Sequence, residues 1–142
     1  MEITIVINQE DVDAFNAKYF MDHPRAKKVI IKSPQHPSLN WYMTANNMEA
    51  NNVKQVWKDF MVFVLTNRNL INQKIDRCEV VYRTFFKRKC IHDLDNITPK
   101  YIFDGLVEGG FLVGDDCTHI TRLTTECFYD KENPRIELKF IY

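Results

Sequence analysis

The chain has 142 residues, 19 basic and 19 acidic for a formal net charge of zero, and 45% of it is apolar. That length suits one domain with its own core, and four glycines and five prolines are too few for a low-complexity chain. A balanced charge removes any global field that would draw the chain onto nucleic acid, and no run of about eighteen apolar residues offers a membrane span.

The start, Met1-Glu2-Ile3-Thr4, lacks the basic opening and small-residue cleavage site of a secretory leader, so a cytoplasmic location is expected. Residues 1–7 alternate, with Ile3, Ile5 and Ile7 on one side, and predict a strand. Asn8 then suits the cap of a helix over 9–21, where Val12, Phe15, Tyr19 and Phe20 recur at helical spacing before the turn Asp22-His23-Pro24. Lys27 to Lys32 has an apolar centre and predicts a second strand. Residues 33–46 read as irregular. Trp41 and Tyr42 there suit anchors pinning a long loop to the core, or a surface that approaches a DNA backbone or an unpaired base.

Asn46 with Glu49 resembles a capping box for a helix over 47–66. Its stripe of Val53, Val56, Trp57, Phe60, Met61 and Val64 fits a core face or a dimer seam. Arg77 to Phe86 alternates as a strand. Thr98-Pro99 opens a helix over 99–108, with Ile102, Phe103 and Leu106 as its apolar face, and Gly109-Gly110 stops it in the left-handed region. Residues 118–129 and 135–142 predict two strands joined as a hairpin by Asp130 to Pro134. The whole reads as one α+β domain over 1–142, a small mixed β-sheet packed with helices.

The four cysteines, Cys78, Cys90, Cys117 and Cys127, show no Cys-x-x-Cys spacing and are expected as free thiols. Cys90-Ile91-His92 and Cys117-Thr118-His119 form two Cys-x-His pairs. They allow a zinc set, or simply partly buried strand residues.

The chemistry concentrates in His92-Asp93-Leu94-Asp95-Asn96 and in Asp115-Asp116 about twenty residues later. Two acids one residue apart share a side if the backbone is extended, and a later turn returning with a third completes an all-oxygen pocket for a hard cation such as Mg²⁺. Such an ion would neutralise part of the acidic group and leave the basic cluster Lys87-Arg88-Lys89 to meet phosphates. The same spacing fits a plainer arrangement, with Asp93 and Asp95 capping a helix start, Asp115-Asp116 in a polar turn and the charge runs solvated.

Asp93-Leu94-Asp95-Asn96, Lys100, Asp104-Gly105-Leu106, Gly110-Phe111-Leu112 and Asp115-Asp116 stand in that order. In this order they resemble the signature of the RusA-type Holliday junction resolvases, small homodimeric endonucleases of phages and prophages. The loop Pro37-Ser38-x-Asn40 looks like the one preceding that family's long helix. The resemblance runs from about residue 27 to 142, with residues 1–26 an added βα element. Lys100 follows Asn96 by four positions, one more than the better-known spacing.

The resemblance implies a RusA-like fold and a dimer cutting opposed strands of branched DNA such as four-way junctions, with cleavage leaving 5′-phosphate and 3′-hydroxyl ends, in the cytoplasm of a bacterial host. It implies Mg²⁺, for which Mn²⁺ can substitute, on Asp93, Asp95 and Asp116 with Asp115 beside them. Lys100 would stabilise charge on the scissile phosphate. Lys87, Arg88, Lys89, Asn96 and Asn40 would contact DNA. A catalytically inactive DNA-binding or assembly protein on the same fold is the alternative.

Overall fold

A computed structural model describes residues 1–142. It contains β1 (Glu2–Asn8), α1 (Gln9–Asp22), α2 (Leu39–Thr44), α3 (Asn47–Asn67), β2 (Cys78–Phe86), α4 (Lys100–Glu108), β3 (Ile120–Tyr129) and β4 (Arg135–Ile141). A single 3₁₀ turn, Leu94–Asn96, lies between β2 and α4. The strands form one mixed sheet in the order β1-β4-β2-β3. β4 runs antiparallel to both neighbours, and β2 and β3 run parallel with α4 in their connection.

The start of α1 follows from the sequence. Asn8 Oδ1 accepts from the amides of Glu10 and Asp11 while Asp11 Oδ2 accepts from the Asn8 amide at 3.0 Å, a reciprocal cap of orphan donors. Arg68 at the end of α3 donates to both Asp11 oxygens, at 2.9 and 2.8 Å, so one acid ties two helix ends together. The expected apolar stripe of α3 faces the core, with Trp57, Phe60, Met61 and Val64 buried and Val53 and Val56 at its margin.

α4 crosses α3 at close range because Gly105 lacks a side chain. A Cβ there would sit 2.5 Å from Met61 Cβ and 3.2 Å from the Lys58 backbone. The small residue between Asp104 and Leu106 is therefore a packing requirement. Gly110, at φ +70°, turns the chain out of the helix as expected.

Three expected elements differ. Lys27 to Lys32 is not a strand. Its backbone is claimed by Asn16, whose Oδ1 accepts from the Ile30 and Ile31 amides and whose Nδ2 donates to the Ile31 carbonyl at 2.7 Å, so buried Ile31 needs no strand partner. Part of the supposedly irregular 33–46 segment is α2, capped by Ser38 Oγ accepting from the Trp41 amide.

The last two strands are not a hairpin. The chain leaves β3, donates from the Asp130 amide to the Phe86 carbonyl over the end of β2, and enters β4 on the far side. β4 thus has a strand on each side, β1 and β2, and its Ile136, Leu138 and Phe140 are wholly buried. β1 pairs with β4 along all seven residues, and Ile5 and Ile7 join the same core, so residues 1–26 extend the sheet itself. No helix is long and apolar enough to cross a membrane.

Candidate functional site

β2 ends at Phe86, and the chain then exposes Lys87, Arg88 and Lys89. It folds back where the His92 ring lies flat on Phe86, 3.7 Å between centroids. Between this returning segment and the loop Gln35–Ser38 lies a cleft of about 280 Å³, floored by β2 and lined by Asp93 and Asn96 among others. Gln35 fixes one wall by donating to the Phe85 carbonyl at 2.8 Å. Asn96 Oδ1 fixes the other by accepting from the Asn40 amide at 2.8 Å. Asn40 and Asn96, both expected as DNA contacts, are thus first of all a brace between α2 and the 3₁₀ turn.

His36 lies in this wall, stacked near Tyr82 and Tyr101 and edge-on to Trp57. Its Nδ1 meets the Pro37 carbonyl at 2.8 Å, and a carbonyl only accepts, so that nitrogen carries the proton and Nε2 accepts from the Tyr82 hydroxyl. Burial pushes the imidazole down to about 4, so it stays neutral near pH 7. Burial likewise raises the Tyr82 phenol, and the Tyr101 phenol to about 12. Thr84, 2% exposed, forms part of the floor of the cleft from β2. Sequence reading missed His36, Tyr82 and Thr84. Only His36, beside the Pro37-Ser38 loop, carried even a positional hint.

The acids do not stand as expected. Residues 94–96 coil into a 3₁₀ turn, with the Asn96 amide on the Asp93 carbonyl at 3.1 Å, and in such a turn residues two apart differ by about 240°. Asp93 therefore lines the cleft without capping the turn through its side chain, while Asp95 and Lys100 are exposed and do not line it. The two acids are neighbours across a 3₁₀ turn, not co-facing strand residues.

Asp115 and Asp116 stand elsewhere. β2 and β3 are parallel, with Cys78 beside Ile120 and Phe86 beside Tyr129, so the residues before Ile120 lie at the opposite end of β2 from the cleft. The nine residues of β2 span roughly 26 Å at about 3.3 Å per step. The expected convergence of four acids on one ion does not occur within a chain, and no three His, Cys, Asp or Glu side chains gather as a metal set. The reason is topological: a parallel crossover returns the chain to the start of the next strand, not to the end of the last.

At that far end Asp116 is engaged. Its Oδ1 accepts from the Thr118 amide at 2.8 Å and the Thr118 hydroxyl at 2.5 Å, and its other oxygen lies 3.9 Å from His119. The Thr118 hydroxyl and amide hold the carboxyl below its usual range. His119 is raised, chiefly by its Nδ1 donating to the Asp76 carbonyl at 2.7 Å, and also by the Asp116 and Asp76 charges. Asp115 is exposed beside it.

The two Cys-x-His pairs are likewise parted. Cys90 Sγ lies 3.0 Å from His92 Nε2 at the cleft end, whereas Cys117 and His119 belong to the far end, so no four-ligand zinc set forms in one chain. All four cysteines are unpaired. Neither a scan against protein-family models nor a search of curated proteins finds a match for this chain.

Proposed function

We propose that this chain is a Mg²⁺-dependent, structure-selective DNA endonuclease of the RusA type that acts on branched DNA as a homodimer. The observation that carries the reading is the contiguous run Asp93, Asp95, Asn96 and Lys100, of which Asp93 and Asn96 line a built cleft, with the exposed Lys87-Arg88-Lys89 run leading into it. The ordered motif supports the same reading. Asp93 and Asp95 supply hard oxygen donors, and two carboxylates alone do not enclose a divalent ion. Asp115 and Asp116 would complete the set only from a second copy, since their own chain holds them at the other end of the sheet.

When bound, the ion would lower the pKa of a water and polarise a phosphoryl oxygen. Asp93 and Asp95 would hold it at the rim. Lys100, in the first turn of α4, would face the negative charge that grows on the phosphate. Lys87, Arg88 and Lys89 would hold flanking backbone phosphates, and the Asn40–Asn96 brace would keep the rim in position.

The test is a labelled synthetic four-way junction incubated with Mg²⁺, against which paired incisions are expected and an Asp95→Asn variant is expected to leave the junction whole. Uncut junctions with wild-type protein, or equal cutting by the variant, overturn the reading. The second reading, a DNA-binding or assembly protein without catalysis, is favoured by the separation of the acids. It predicts metal-independent junction binding and no cutting.

A further inference from the structure

We propose that Cys90 and Cys127 form a dithiol modification site beside the cleft, which a small-molecule disulfide oxidises to a reversible bond within the chain. The bond would pin the segment between β2 and the 3₁₀ turn to β3. The two thiols occupy these places whether or not the chain cuts DNA.

Cys127 stands in register with Thr84, and Tyr129 with Phe86. Partners across a ladder share a face, so Cys127 lies on the face of the sheet that Tyr82, Thr84 and Phe86 give to the cleft. After Phe86 the chain returns over that same face. His92 lies flat on the Phe86 ring, 3.7 Å between centroids, and Cys90 Sγ lies 3.0 Å from His92 Nε2. One thiol thus meets the Phe86 ring through His92, and the other flanks that ring from the next strand. Each senses the other: burial raises the Cys127 thiol, and the charge of Cys90 raises it further.

The pair divides the labour of an exchange. Cys90 is exposed on a segment, 87–93, that has no helix or strand, so it is the thiol an oxidant meets. Cys127 is half-buried on a strand held to β2, so it is the fixed partner. Cys78, at the start of β2, and Cys117, just before β3, stand at the opposite end of the parallel pair. The Cys90 thiol gives its proton to water, and its sulfur attacks one sulfur of the small disulfide, breaking that S–S bond and expelling a thiolate that takes up a proton. The Cys127 sulfur, losing its own proton, attacks the Cys90 sulfur and expels the second thiol in the same way. The protein thiols are oxidised to one S–S bond, and the small disulfide is reduced to a pair of thiols. An excess of free thiol reverses both exchanges.

The test is to incubate the full chain with oxidised glutathione, block the remaining thiols, and map unreduced peptides of the monomer band by mass spectrometry. Cys90 is expected joined to Cys127 with glutathione on neither, and dithiothreitol is expected to restore both thiols. Cys127→Ser is expected to trap glutathione on Cys90, because no second thiol is left to expel it. Wild-type protein in which Cys90 stays free, keeps glutathione, or joins another cysteine or another chain overturns the site. Trypsin reads the pinning. Cleavage after Lys87, Arg88 and Lys89 is expected to slow by on the order of tenfold on oxidation of wild type, and to hold its rate in oxidised Cys127→Ser. Equal cleavage of oxidised and reduced wild type overturns the pinning of the segment.

Discussion

The two ends of the parallel pair β2 and β3 carry the same kinds of residue to opposite effect. At the cleft end, Asp93 makes no capping bond and Asp95 is exposed. At the far end, Thr118 and His119 surround Asp116, and Asp76 binds His119 in turn. One end leaves its carboxylates open to an incoming group. The other holds its acid in a turn that starts a strand. An acidic motif therefore states a chemistry only once the backbone decides which of its members are free.

The largest effect that would sharpen this contrast is on cutting. Asp93→Asn and Asp116→Asn are both expected to lower Mg²⁺-dependent junction cleavage by on the order of 10²-fold or more, the scale of losing one charged stabiliser of a transition state. Only Asp116→Asn is expected also to lower the melting temperature, because only Asp116 is tied to its neighbours. Equal melting for both variants would break the distinction between the ends.

Next comes the wall of the cleft. His36 is depressed from 6.5 to about 4, so its neutral form is favoured by folding. Its contribution is fully present above pH 6.5 and is lost as pH falls toward about 4. Urea unfolding at a series of pH values is expected to show a drop on the order of 3 kcal/mol across that window, and His36→Gln is expected to flatten it. A profile unchanged by the substitution would remove His36 as its cause.

The helix that joins the two ends gives a smaller change. Gly105→Ala must push α4 off Met61 and the Lys58 backbone, and a loss of about 1–3 kcal/mol in urea unfolding is expected. If stability holds, the close crossing is not needed to seat Lys100 at one end and Gly110 at the other.

The smallest effect is local to the far end. His119 is raised, so its share of stability is full below 6.5 and is lost as pH rises through its folded value. Asp116 is lowered, so its share is full above 3.8 and is lost as pH falls through its folded value. Both contributions are complete between pH 3.8 and 6.5. In an NMR titration, Thr118→Ala is expected to move Asp116 up toward its ordinary value and leave the Asp76 bond to His119 in place. An unmoved Asp116 would mean that Thr118 does not hold it.

Much of the local structure was legible in the residues. The Asn8 and Asn46 caps, the α3 stripe and the Gly110 turn each depend on groups within a few positions along the chain, where spacing alone sets geometry. The 27–32 segment misled because its apolar run is satisfied by Asn16, more than ten residues away. The candidate site was half legible. The rim from Asp93 to Lys100 is contiguous in sequence, whereas its cleft depends on His36 and Thr84, which meet only through folding.

What the sequence by itself determined is therefore the inventory: an α+β chain of mixed strands and helices, its caps and turns, and an ordered set of acids with a lysine. The tertiary structure alone decided that β4 enters between β1 and β2, that β3 is left as an edge, and that Asp116 stands a strand's length from Asp93. The physical reason is range. Caps and periodicity are settled by neighbours in the chain, but the order of strands is settled by pairings between residues far apart in it, β4 with β1 and β2 on its two flanks and β3 with β2 alone.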